Sequence, residues 1–149
     1  MIFFSWLHLI GAVILLGGLL FQSHVVIPLV KADPAYRLLW AKILRHSRRV
    51  AWTAVGLLLL TGLYNFSRLS SVTIVNVGPT LGLKLALVLL LLFLLAHRDF
   101  GLAARMIRTL EEGGDPLPLQ RVMSWIDRCV LLLGLAVLLF GLDLAHRTH

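Results

Sequence analysis

Four residues set in apolar surroundings carry most of the chemistry in this chain: His8, His24, Lys84 and His97. His8 and His24 are sixteen positions apart with no charge between them. At the helical rise that spacing is ~24 Å along an axis, against a bilayer hydrocarbon core roughly 30 Å thick. A helix crossing a membrane here would carry one imidazole near each face. The stretch Leu81–Arg98 repeats the arrangement, with Lys84 near one end and His97 near the other. Neutral imidazole is the usual protein ligand of haem iron. A lysine inside an apolar span costs roughly 2.5–3.5 kcal/mol at mid-depth, unless it snorkels to the interface or meets an anion.

These residue types predict two levels. His8 and Lys84 form the outer one, with His8 as a metal ligand and Lys84 as the functional, catalytic cation facing an anion such as a porphyrin propionate. Asp143 and His146 fall near the same level and are further candidates. His24 and His97 form the inner level, as cofactor-binding residues for a second haem or metal, with His97 as the second metal ligand. His8 and His24 differ by about 160° around an ideal helix, so one face does not present both to a single cavity. Plainer roles stay open: an interfacial histidine hydrogen-bonded to a carbonyl, a snorkelling lysine, and a His97 that marks a helix end.

The elements that must position these groups follow from hydropathy. The chain has 149 residues, is 59% hydrophobic and has a mean hydropathy of +0.92, well above the ~45–50% apolar content of soluble domains. Four apolar runs predict transmembrane helices at about 2–30, 50–66, 80–97 and 125–146, in a single domain 1–149. Helical extensions are expected at about 34–49 and 98–124. The first run lacks a basic leader and a small-residue cleavage site, so it reads as a mature span. Pro28 and Asp33-Pro34 are expected to end the first helix. The second should run from Pro34 to Phe66, its first half as an extension or as a helix lying at the lipid interface. Ser67–Pro79 reads as an outer loop, from Ser70-Ser71 and Gly78-Pro79. The third helix is expected to continue through Asp99–Glu112, where Gly113-Gly114-Asp115-Pro116 stops it.

The formal net charge is +7, and its placement matters more than its sum. Eleven of the fourteen Lys and Arg residues lie in two segments, Lys31–Arg49 and Arg98–Arg128. The positive-inside rule assigns both to the cytoplasm and both termini to the periplasm. The expected fold is an all-α, integral membrane, antiparallel four-helix bundle. The basic segments then serve topology and anionic lipid, and nucleic-acid binding, which lacks any recognisable module, is set aside. Copper(I) favours Met and Cys. The chain offers only Met1, Met106, Met123 and Cys129, none at mid-depth. Hydrolytic motifs, phosphate loops and zinc signatures are absent from the sequence.

Three stretches carry a resemblance. WLHLIGAVILLGGLLFQSHVVIP, GLLLLTGLYN and TLGLKLALVLLLLFLLAHRDFGL resemble spans of bacterial copper-resistance D-like (CopD-type) membrane proteins. The histidine in span one and lysine in span three are similar to those of HemJ-type protoporphyrinogen IX oxidases, small four-span haem b proteins. That resemblance implies haem b as cofactor, with copper as the alternative. It implies His8 and Lys84 as functional residues and His97 as the later histidine. The implied activity is electron transfer or porphyrin oxidation, with a quinone or a porphyrin as partner. The other classes in view are a copper-handling protein of the copper-resistance type and a structural subunit of a larger membrane complex or homo-oligomer.

Overall fold

A computed structural model describes residues 2–67 and 71–147, with side chains for 3–67 apart from Pro34 and for 78–142. Every element among them is helical. The elements are α1 (Ile2–Phe21), α2 (Ile27–Ala32), α3 (Arg37–Ser67), α4 (Ser71–Ala96), α5 (Ala103–Glu111) and α6 (Leu117–Arg147). A π-helical stretch, Gln22–Val26, joins α1 to α2, and another, His97–Leu102, joins α4 to α5. The described residues therefore form four long helical rods, each long and apolar enough to cross a membrane. Leu60, Phe93 and Leu132 are each about 70% exposed, along with many other large apolar side chains. No water-soluble surface of this size carries so many, so these faces belong against lipid.

The breaks between rods follow from local chemistry. Asp33 ends the first, and its carboxylate accepts the Ala35 backbone N–H at 2.8 Å. Asp115 does the same for Leu117 at 3.0 Å. Each aspartate precedes a proline, whose fixed φ and missing N–H suit the first helical position. Ahead of the second break, Gly113 takes φ +72°. Gly114 N–H then reaches back to Thr109 O at 2.9 Å, the doubled-back C-terminal turn that favours glycine.

Two expectations need correction. Pro28 does not end the first rod, which continues to Ala32. Proline clashes with the carbonyl four residues back and removes a bond. The widened π turn just before it absorbs both effects. The expected outer loop Ser67–Pro79 is also mostly helix, since α4 begins at Ser71 and holds Pro79 inside it. Only residues 68–70 of that loop lie outside the described residues. Glycine and proline are weaker breakers in membrane helices, where neighbours re-satisfy the freed backbone groups.

Packing falls into two clusters. Leu15, Leu19, Ala54, Val55, Leu91, Leu95 and Val130 fill the spans. The extensions bury a core of their own, in which Trp40, Leu44, Met106 and Met123 are almost wholly enclosed. Helix α5 contributes Ala103, Met106, Ile107 and Leu110 from one face, at the i, i+3, i+4, i+7 spacing of an amphipathic helix. Trp40, Ala41 and Leu44 of residues 34–49 thus pack on protein, while Leu38 and Leu39 stay exposed.

α1 lies along α3, and α4 along α6. Phe4 stacks on Tyr64 with centroids 4.0 Å apart, and Gly11 faces Leu58. At the other end Trp52 tilts against Phe100, and Arg128 covers Trp125. The two aromatic groups mark two interfacial levels. α1 also meets α6, where the Leu16 side chain occupies the space that a Cβ on Gly134 would need. Gly134→Val should therefore cost about 1–3 kcal/mol by overpacking. The check is thermal unfolding in detergent, with the gentler Leu16→Ala, Gly134→Ala double variant recovering part of the loss.

Candidate functional site

At one end of the molecule, α1 and α3 hold His8. Its Nδ1 lies 2.8 Å from Thr61 Oγ1. Thr61 is buried and its hydroxyl donates to Leu57 O at 2.7 Å, with Leu58 O at 3.3 Å. A threonine hydroxyl has one proton, and it is spent on the helix backbone. With that proton spent, the oxygen is set to accept from His8 Nδ1, the tautomer that would offer Nε2 as a donor atom; the Leu58 carbonyl also bonds the imidazole. A second partner that fixes tautomer and ring orientation is the usual support of a ligating histidine. Gly62 lies under the ring, its missing Cβ position 3.4 Å from His8 Cε1.

Lys84 is half-buried on α4. Its Nζ lies 3.3 Å from the point where a Cβ on Gly141 would stand, so it runs along the glycine face of α6. His8 and Lys84 come from two different helix pairs, α1 with α3 and α4 with α6. The side chains of Asp143 and His146 lie outside the described residues.

His24 and His97 are both exposed. His24 Nδ1 is engaged locally, by Ser23 Oγ at 2.9 Å and Leu20 O at 3.2 Å. The ring of His97 sits over Gly101 of its own π turn. No group of three or more His, Cys, Asp or Glu side chains that could hold a metal is found among the described residues.

What the two π turns present inward is a charge cluster that the sequence reading missed. Arg98 is only 3% exposed, Asp99 1% and Asp127 0%. Arg98 Nη1 donates to Asp99 Oδ1 at 2.6 Å, and Nη2 to Gln22 Oε1 at 2.6 Å. Its Nε donates to Asp127 Oδ1. The other oxygen of Asp99 accepts from Trp52 Nε1 at 3.1 Å. Arg98 had counted as a loop cation setting topology; it is instead buried inside the rods. Gln22 and Arg98 each come from a π-helical stretch, a form common at functional sites. Gln22 follows His8 by fourteen residues, or ~21 Å along the helix, so both sites fit within one bilayer thickness.

The cluster holds two carboxyl groups and one guanidinium. Asp127 Oδ2 has no hydrogen-bond partner among the described residues. Arg98 is thus the group on which both acids depend, while either acid alone would match its charge. An aspartate just inside the apolar run of the fourth span was the available sequence signal.

No protein-family model, no curated protein and no solved structure matches this chain. The geometry carries the functional reading by itself.

Removing the cation of a buried ion pair costs about 3–5 kcal/mol, because a charge is left uncompensated. Arg98→Met should lose stability on that order. Asp127→Asn keeps an acceptor for Arg98 Nε and removes the surplus negative charge, so it should lose less than half as much. Unfolding midpoints of the two variants in detergent decide this; equal losses would overturn the charge accounting.

Proposed function

We propose that this chain is a haem b-binding membrane protein acting in electron transfer or in oxidation of a porphyrin. The observation that carries the reading is the contact of His8 Nδ1 with the buried Thr61 hydroxyl at 2.8 Å, a restraint of the kind that supports a ligating histidine. With Thr61 donating to Leu57 O, the proton belongs on Nδ1 and Nε2 is the nitrogen offered to a metal. The residues present fit the group. His8 supplies a neutral imidazole donor. Lys84 supplies a half-buried cation, suited to a propionate or to a porphyrin substrate's carboxylate. Gly62 and Gly141 leave room beside both side chains. Haem bound there would supply one-electron chemistry.

The protein's own part is to hold and to orient. Thr61 keeps the imidazole in one rotation and one protonation form. Lys84 pairs with an anion in a medium of low dielectric, where that pairing is stronger than in water. His24 and His97, exposed on the other level, are the candidates for contact with a second haem or a redox partner, a quinone among them.

The same reading places the chain in a bacterial inner membrane as an antiparallel bundle with both termini periplasmic. With Arg98 set aside as buried, ten of the fourteen Lys and Arg residues still fall on the assigned cytoplasmic segments, which supports that orientation. A reporter fused after His149 should be active in the periplasm; cytoplasmic activity would reverse the orientation.

Purified protein should show a Soret band and a reducible b-type α band, and His8→Ala should lose or strongly shift both. Thr61→Val, which removes the tautomer restraint, should lower haem occupancy about tenfold while leaving the protein folded. Lys84→Met should insert normally yet retain less haem, and Lys84→Arg should restore only part of it, because a guanidinium is larger and shaped differently. Colourless protein after haem-supplemented expression removes the reading. Copper in that colourless protein would point to copper handling of the copper-resistance D type, and no metal at all to a structural subunit.

A further inference from the structure

A crevice of about 450 Å³ opens between the first and second rods, well within the range of ligand cavities. Its two ends are chemically different. His8 rests on Thr61 and Gly11 faces Leu58, so rising numbers along α1 meet falling numbers along α3. Ile14 and Leu15 therefore share one end of the crevice with Val50 and Ala51, and that end is apolar. Gln22 shares the other end with Lys42 and His46, and Arg98 reaches it through its bond to Gln22. Gly18 forms part of the wall, with open space where a Cβ would stand.

A second hollow of about 200 Å³ adjoins the polar end, lined by Lys42, Arg45, His46 and Arg49. These stand at i, i+3, i+4 and i+7, one face of α3. The two hollows share Lys42 and His46. Arg45 is paired with Glu111, so the cations that face a ligand are Lys42 and Arg49.

A phospholipid in the leaflet on the basic side has its phosphate at the surface and its chains toward the mid-plane. The crevice has the same polarity in the same direction. A soluble anion would match the basic hollow and leave the apolar end unfilled. A neutral lipid would fill the apolar end and leave the cations unmatched. We infer that this seam binds an anionic phospholipid, one acyl chain lying in the crevice over Gly18 and the phosphate resting on Lys42, His46 and Arg49. The inference uses none of the residues of the proposed haem site, and it stands or falls separately from that reading.

The test uses the full chain, purified in a zwitterionic detergent. Lipid retention by native mass spectrometry and the unfolding temperature are followed against phosphatidylglycerol, phosphatidylcholine and inorganic phosphate. Phosphatidylglycerol should bind at one per chain and raise the unfolding temperature. Phosphatidylcholine should bind more weakly, and phosphate should do neither. At ~1 kcal/mol per surface cation, each charge removed should weaken binding about fivefold. Lys42→Gln with Arg49→Gln should therefore lose roughly 25-fold and no longer distinguish the two lipids. Gly18→Leu fills the crevice and should lower retention of both lipids. It favours helix, so its lipid-free unfolding temperature should match or exceed wild type. Equal binding of the two lipids by wild type overturns the inference, as does unchanged retention in Gly18→Leu. Stabilisation by phosphate as large as by phosphatidylglycerol would reduce the site to a headgroup hollow, and a quinone that displaces the lipid would assign the crevice to another ligand.

Discussion

A guanidinium enclosed by helices in a membrane-spanning segment has to be matched, and Arg98 constrains the rest of this structure accordingly. Its three donor nitrogens draw Gln22 from the first rod, Asp99 from its own and Asp127 from the fourth. Trp52 of the second rod joins through Asp99. All four rods therefore meet at one polar point. Leucine faces packing on one another in lipid have little means of fixing register, because lipid is as apolar as they are. A charge cluster with directional bonds fixes depth and rotation together. That specificity carries a desolvation cost, which is why such clusters contribute more to uniqueness than to net stability.

Much of the architecture was legible because it rests on composition and on local stereochemistry. Four apolar runs became four rods. The Asp33-Pro34 and Asp115-Pro116 breaks fell where capping and proline geometry require, and Gly113 took its positive φ. The Ser67–Pro79 segment was misread because Gly78 and Pro79 are turn residues in water, while in a membrane helix they are tolerated. The π turns had no sequence signature beyond Pro28 after one of them.

The site was legible in part for a different reason. His8 and Lys84 stood out because each is a polar residue alone in an apolar run. Gln22, Arg98, Asp99 and Asp127 did not, because each sits near the end of a run, where a polar residue passes for a boundary. Their meaning lies in contacts that span 76 and 29 positions, which no local pattern contains. Thr61 is the subtler case. It reads as an ordinary threonine in a span, and only the fold brings its hydroxyl against both Leu57 O and His8 Nδ1.

The two π turns also constrain how this chain tolerates insertions and deletions. Each wide turn holds one residue more than the α-helical path would use. Deleting a residue within Gln22–Val26 would let that rod close into plain α-helix, and everything beyond would rotate by about 100° relative to what precedes it. Gln22 and the buried face of α2 could then no longer meet their partners at once. The same holds for His97–Leu102, which sets the phase between Leu95 and Met106, two side chains enclosed in different cores. Chain length is thus fixed to the single residue at these two places.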